Sequence, residues 1–491
     1  MCEITAKLRP SRQTPFPYLV LSLSICLAWL PLLLPYIPFW DDYYFVSFLK
    51  GGGVSQYFKT FGAWRPLGMP LTTFISPFYC PPGSFGAVAI FTHIFMVFIF
   101  FNTCRYLLYS TTLSFILSLI MAIFPWAWEA MAWSYHYVLA TTFFWCNLLI
   151  LIRFSTNKHR QGLVFLLSYM LTWLSLISNE TLFASLALSG CVVWIFRGGL
   201  DIKEFKERMI KFYSGWAPPL ATLSFLLVFM YLNIYGGAIY GGRSFSSRPR
   251  AVLSTYFYQW TNILIFEPWL HSVTRRLVFY DWNKAMVIAA AFLFPLFVLS
   301  LFLLVRKTRE EPARSFKPNK GLLLCILALM FGASYVYAVV GGFSLDTRKR
   351  YPLIPLLMLF LGWLWIRFFE AKMRTAKKFM LPLILGLSIL GFGTTWINLG
   401  VWRHSLVQYN ALINFLCVNQ NEITSGIRIH IDDPHPFQGS FVNLLEGPIQ
   451  SVERYLSAPL AYEGCKPVRF SQDPRAKAVR FNKDSSKWEF A

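Results

Sequence analysis

Gly86-Ala87-Val88-Ala89-Ile90-Phe91-Thr92-His93-Ile94-Phe95-Met96-Val97-Phe98-Ile99-Phe100-Phe101-Asn102-Thr103-Cys104 decides the solvent in which this chain folds. The stretch contains no Asp, Glu, Lys or Arg. As a helix rising 1.5 Å per residue it matches the ~30 Å hydrocarbon core of a bilayer. Comparable apolar runs recur at 18–37, 111–126, 136–153, 161–178, 181–197, 215–235, 285–305, 321–341, 351–369 and 379–400. The expectation is a polytopic α-helical membrane protein of about 11 spans. Ten or twelve stay open, because 111–126, 161–178 and 181–197 are short.

Composition agrees with this reading. Charged residues make up 14% of the 491, against about 25% in soluble globular proteins. Aromatics reach 18%, with 48 Phe and 18 Trp. Disorder, collagen, coiled coil and a string of soluble domains are excluded. The first run follows Lys7, Arg9 and Arg12, lacks a small-residue cleavage site and carries Pro31 and Pro35. It therefore reads as a retained anchor and not as a cleaved signal peptide.

The formal net charge of +22 would suggest nucleic acid in a soluble protein. Its distribution gives another account. With the N-terminus in the cytoplasm, the inner segments collect 23 basic and 7 acidic residues, as the positive-inside rule requires. The outer loops hold 12 basic and 7 acidic residues, and the tail after residue 400 holds 10 and 9. Nucleic acid is not needed as a partner. The expected location is the bacterial inner membrane, multi-pass, with the tail outside.

Two domains are expected: a transmembrane unit over 1–400, with outer loops at 38–85 and 236–284, and a small extracytoplasmic α/β domain over 401–491. Alternation at Ile427-Arg428-Ile429-His430-Ile431 signals a strand, stopped by Asp432-Asp433-Pro434. A helix-like stretch follows around 440–457. His430, Asp432, Asp433 and His435 read as a strand end and a turn in preference to a metal site. Of nine cysteines, Cys26, Cys104, Cys146, Cys191 and Cys325 lie in or beside spans and are packing residues. Cys417 and Cys465 fall outside, where an oxidising compartment permits a disulfide across the tail; two free thiols is the alternative.

Chemistry is expected on the outer face, where acids are few. Phe39-Trp40-Asp41-Asp42-Tyr43-Tyr44-Phe45 puts two carboxylates directly after the first span, inside an aromatic belt. One of them suits a general base; its neighbour can cap a helix or hold a metal. Trp64-Arg65-Pro66 follows, with Arg65 able to bind a carboxylate or phosphate or to snorkel. In Pro125–His136, a continuous helix would set Glu129, Trp133 and His136 on one face, an acid beside indoles suited to a sugar ring. Glu180 lies in a tight turn, as a cavity ligand or as a charge at a helix start. Arg243, Arg248 and Arg250, and the group Arg348, Lys349 and Arg350 ahead of Tyr351, run against the positive-inside rule. A polyprenyl phosphate at the outer leaflet would explain such cations.

The order of these features resembles the GT-C superfamily of polytopic glycosyltransferases: an acidic pair (Asp41-Asp42), an Arg-Pro (Arg65-Pro66), Pro125…Glu129…Trp133, Glu180, then Arg350-Tyr351. The resemblance covers roughly 18–370, and its acidic pair is Asp-Asp where the family often has Asp-Glu. It implies inverting transfer of a sugar from a polyprenyl-phosphate donor to a lipid, polysaccharide or protein acceptor on the extracytoplasmic face. Asp41 would be the base, and Asp42 would orient it or hold a divalent metal, whose use the family leaves open. Trp64, Glu129, Trp133 and Glu180 would shape the sugar or acceptor pocket. Arg65, Arg243 and Arg350 would hold the donor phosphate.

Three other classes compete. A transporter or flippase for polyprenyl-linked glycans would place charge near mid-membrane, whereas these acids sit at one face. A polysaccharide polymerase would lean on arginines in two large outer loops. A non-catalytic scaffold would leave the outer acids replaceable.

Overall fold

The structure is a computed structural model. It describes residues 15–34, 84–124, 127–132, 135–155, 157–196, 202–236, 284–308, 320–340, 351–369, 380–423 and 426–431. In the tail it adds 456–457, 459–461, 463–466, 468–471, 476–482, 485 and 487–490.

The described parts of the apolar runs are helical. In chain order the helices are α1 (Phe16–Trp29), α2 (Ser84–Leu108), α3 (Thr111–Ala122), α4 (Trp128–Ala132), α5 (Tyr135–Phe154), α6 (Gln161–Ser178) and α7 (Phe183–Ser189). There follow α8 (Cys191–Phe196), α9 (Ile202–Lys211), α10 (Ala217–Gly236), α11 (Lys284–Thr308), α12 (Lys320–Val340), α13 (Leu353–Phe369) and α14 (Met380–Val418). Among the described residues, six segments are long and apolar enough to cross a membrane: Phe16–Leu33, Ser84–Leu108, Tyr135–Phe154, Gln161–Ser178, Tyr213–Tyr231 and Ile384–Val418. Five shorter apolar helical segments accompany them: Thr111–Ala122, Phe183–Ile195, Ile288–Ser300, Lys320–Tyr335 and Leu353–Arg367. Large apolar side chains also face outward. Phe91 and Phe292 are each 73% exposed, which suits lipid and not water.

Inside, α2 packs on α1, α3 and α5, and α5 packs on α6. Further round, α7 lies against α10 and α12, α13 against α3 and α12, and α11 against α1. Tyr109, in the left-handed region at φ 53°, turns α2 into α3. Ser110 caps α3 by accepting from the Leu113 N–H at 3.2 Å. Between helices, buried side chains supply polar links of the kind that hold bundles together in lipid. Asn147 on α5 accepts from the Ser168 hydroxyl at 2.5 Å and donates to Ser189 at 3.3 Å. Ser185 donates to the Leu329 carbonyl at 2.7 Å, joining α7 to α12.

Two elements differ from the sequence expectation. The run 181–197 is not one helix but a 3-10 turn at Glu180–Leu182 followed by α7 and α8. The break falls at Gly190, where an added Cβ would lie 1.9 Å from the Gly215 carbonyl oxygen, so two backbones meet where only glycine fits. The second difference is α14, which continues through residue 400 to Val418. At 39 residues it is ~58 Å long, about twice the hydrocarbon core. Arg403 and His404 end the apolar run, but Trp402, Leu406, Tyr409, Leu412, Ile413 and Leu416 sustain a buried helical stripe beyond it.

The tail contains a three-stranded sheet, β1 (Ile427–Ile431), β2 (Lys477–Asn482) and β3 (Lys487–Phe490), in that spatial order. β1 and β2 are parallel, with Ile429 opposite Val479; β2 and β3 are antiparallel, with Phe481 opposite Trp488. The strand expected at 427–431 is present. Ile427, Ile429, Val479, Phe481 and Trp488 are buried, while Arg428, His430 and Arg480 are exposed. The Trp488 indole donates to the Gln408 carbonyl at 2.9 Å, and the rings of Phe415 and Phe490 lie 5.1 Å apart, so the sheet rests on the end of α14. Cys417 and Cys465 form a disulfide that closes the same junction. Hydrogen bonds from Asn482 and Arg480 hold the Glu489 carboxyl below its ordinary value. The helix expected at 440–457 lies almost wholly outside the described residues.

Candidate functional site

A buried polar cluster forms where one end of α1, α2, α3, α5 and α13 meets. α1 ends in a 3-10 turn over Leu30–Leu33, and α2 starts beside it. That approach depends on Gly86, whose Cβ would lie 1.8 Å from the Leu32 carbonyl oxygen. Two turns further along α2, the fully buried His93 reaches Tyr351 at 2.7 Å through Nδ1 and the Ala122 carbonyl at 3.2 Å through Nε2. The Trp29 indole donates to that same carbonyl at 2.9 Å. Ala122 is the last residue of α3, so its carbonyl is one of those a helix leaves unpaired. Thr92 and Tyr135 bond through their hydroxyls.

These contacts assign the protons of a neutral imidazole. A carbonyl only accepts, so His93 carries its hydrogen on Nε2 and accepts the Tyr351 hydroxyl on Nδ1. Tyr351 is buried, and Arg350 is its covalent neighbour. One hydrogen-bonded chain thus fixes the start of α13 to α2 and the end of α3.

The second part of this end is the turn between α6 and α7. Antiparallel packing of α5 and α6, marked by the Ser175 hydroxyl donating to the Ala140 carbonyl at 2.8 Å, brings the turn beside the start of α5. Asn179 is fully buried and accepts from the Thr181 N–H at 2.9 Å. Its Nδ2 and the Thr181 Oγ1 are buried without a hydrogen-bond partner among the described residues. Burial removes Asn179 from reach of a glycosylating enzyme, although Asn179-Glu180-Thr181 matches an acceptor sequence.

Of the residues singled out in the sequence, Asp41, Asp42, Trp64, Arg65, Trp133, Arg243 and Arg350 lie outside the described residues. Glu129 lies on α4, which packs against α2, α5 and α14, and Glu180 opens the 3-10 turn, which packs against α5, α6 and α12. For these two the structure describes the backbone alone. Glu129 lies on α4, which is described to Ala132, and His136 on α5, described from Tyr135. Trp133 falls between them, so the expected face shared by Glu129, Trp133 and His136 lies in part outside the described residues. His136 is buried, with its ring 4.5 Å from that of Tyr137. Among the described residues, no three His, Cys, Asp or Glu gather as a metal site.

What was missed is the set of neutral polar side chains buried at this end: His93, Tyr135, Asn179 and Thr181. The available signal was a polar residue inside an apolar run, most plainly His93. Compared with protein-family models and with curated proteins, the chain matches none.

Proposed function

We propose that the protein is a membrane glycosyltransferase with about eleven spans, its N-terminus cytoplasmic and its tail extracytoplasmic. On this reading it moves a sugar from a polyprenyl-phosphate donor to a lipid, polysaccharide or protein acceptor. Asp41 takes the proton of the acceptor hydroxyl. The hydroxyl oxygen bonds to the anomeric carbon from the face opposite the phosphate, and the bond from that carbon to the phosphate oxygen breaks, inverting the centre. Arg65, Arg243 and Arg350 hold the departing phosphate, whose growing negative charge needs fixed cations. Trp64, Glu129, Trp133 and Glu180 line the sugar and acceptor pocket. Asp42 orients Asp41; should a divalent ion be used, Asp42 is the residue to hold it.

The observation that carries the reading is the convergence of loop stems. The turn after α1 leads to Asp41 within seven residues of Leu34, a reach of at most ~25 Å. It meets α2, while α4 with Glu129, the turn with Glu180 and Tyr351 behind Arg350 gather at the same end of the helices. The Cys417–Cys465 disulfide supports an oxidising, hence outer, side for the tail.

The test is Asp41→Asn in a strain lacking the native gene. Transfer of sugar to the cell envelope is expected to be lost, with the variant inserted and folded at wild-type level. Full restoration of the envelope glycan by Asp41→Asn would falsify the assignment.

A further inference from the structure

The opposite end of the bundle carries an amphipathic helix, α9, that no step of sugar transfer uses. Its apolar residues Phe205 and Met209, with Phe212 just beyond, recur at i, i+4 and i+7, one helical face. That face is occupied by the protein itself. All three pack on the small core of Leu151, Val164, Val193 and Trp194, with Phe205 and Trp194 rings 6.0 Å apart and the Trp194 indole donating to the Phe212 carbonyl at 3.1 Å.

The outward face is mixed in a particular way. Lys206 and Lys211 are exposed, and Ile210 between them is 71% exposed. In the 3-10 turn that follows, Tyr213–Trp216, the two terminal aromatics are 45% and 40% exposed. Tyr213 lies against the start of α6, its ring 6.4 Å from Phe165. There Arg160 and Leu163 are exposed as well. Glu207 is an exposed acid on the helix, and the segment 197–211 holds five basic and three acidic residues. Water would not favour an open Ile, Leu, Tyr and Trp, and a bare hydrocarbon core would not favour Arg160, Lys206 and Lys211. The headgroup layer satisfies both, since aromatics sit at that level and cations reach past it to phosphates.

We propose that α9 and the turn after it lie in the plane of the membrane surface and form a docking surface for anionic phospholipid headgroups, with Arg160, Lys206 and Lys211 as the phosphate contacts. The partner is the lipid and not free phosphate, because the exposed Ile210, Tyr213 and Trp216 need acyl-chain and glycerol contact that an inorganic ion lacks. The site does not depend on the proposed sugar transfer.

The test uses the full chain purified in detergent, its thermal unfolding followed with added phosphatidylglycerol, phosphatidylcholine or inorganic phosphate. Phosphatidylglycerol is expected to raise the midpoint by at least ~3 °C over phosphatidylcholine. At least half of that gain should disappear as salt rises from ~0.05 to ~0.5 M. Arg160→Gln/Lys206→Gln/Lys211→Gln should remove the gain while leaving the midpoint in phosphatidylcholine unchanged. Equal midpoints in the two lipids, the same gain from inorganic phosphate, or a full gain in the triple variant would overturn the proposal. If the triple variant fails to fold, the salt dependence of the wild-type gain decides: a salt-insensitive gain refutes it.

Discussion

A histidine in the middle of an apolar helix is costly unless each ring nitrogen has a partner, and His93 has two. Removing the ring would leave the buried Tyr351 hydroxyl without its acceptor and the Ala122 carbonyl with Trp29 alone. His93→Leu is therefore expected to lower stability by about 2–3 kcal/mol, the usual penalty for stranding buried polar groups. His93→Gln, whose amide has both a donor and an acceptor, should recover part of that loss. Denaturant titration of the detergent-solubilised protein distinguishes the two; equal losses would mean that shape and not hydrogen bonding decides. None of this is legible locally. His93 stands out in its run, but its partner Tyr351 lies 258 residues away, and nothing in either neighbourhood names the other. Asp41-Asp42 is the converse case, conspicuous in the sequence by charge and context alone.

Elements were more legible than their ends. Twenty apolar residues in lipid have few options besides a helix, and the described parts of the apolar runs are helical. Hydropathy cannot see where a helix leaves the membrane and carries on. α14 shows this, since Arg403 and His404 break the apolar run but not the stripe from Trp402 to Leu416. The close approach at Gly190 is hidden for a related reason, because the backbone it meets is that of Gly215 in another element. The end of α14 is held to the tail by a disulfide whose cysteines are separated by 48 positions. A loop of that length loses enough freedom to make the bond worth about 2–4 kcal/mol. Cys417→Ser should therefore loosen the tail while leaving the membrane helices intact. Limited proteolysis would then cut within 419–476 at a lower protease concentration than in wild type. Unchanged protection would show that Trp488 and Phe490 suffice.

For the molecule as a whole, charge distribution was the most informative single property, and it concerns orientation. Twenty-three basic residues gather in segments that alternate with the loops proposed to lie outside. An alkaline phosphatase reporter fused after Val418 is expected to be active, and a cytoplasm-dependent fluorescent reporter at the same point dark. The reverse result would invert every functional assignment made for the outer face. Fusion after Lys211 should give the opposite pair of signals, since the proposed topology puts α9 on the inner side.

Parallel pairing of β1 with β2 imposes an order on the tail's assembly. The central strand of the sheet, Lys477–Asn482, comes later in the chain than both cysteines of the disulfide. On the proposed topology, Cys417 and Cys465 reach the far side of the membrane during synthesis before β2 has arrived. Oxidation can therefore close the chain around residues 418–464 while β1 still has an open edge. The sheet would then be completed from outside a ring already sealed, because β1 lies within the loop that the disulfide closes whereas β2 and β3 follow Cys465.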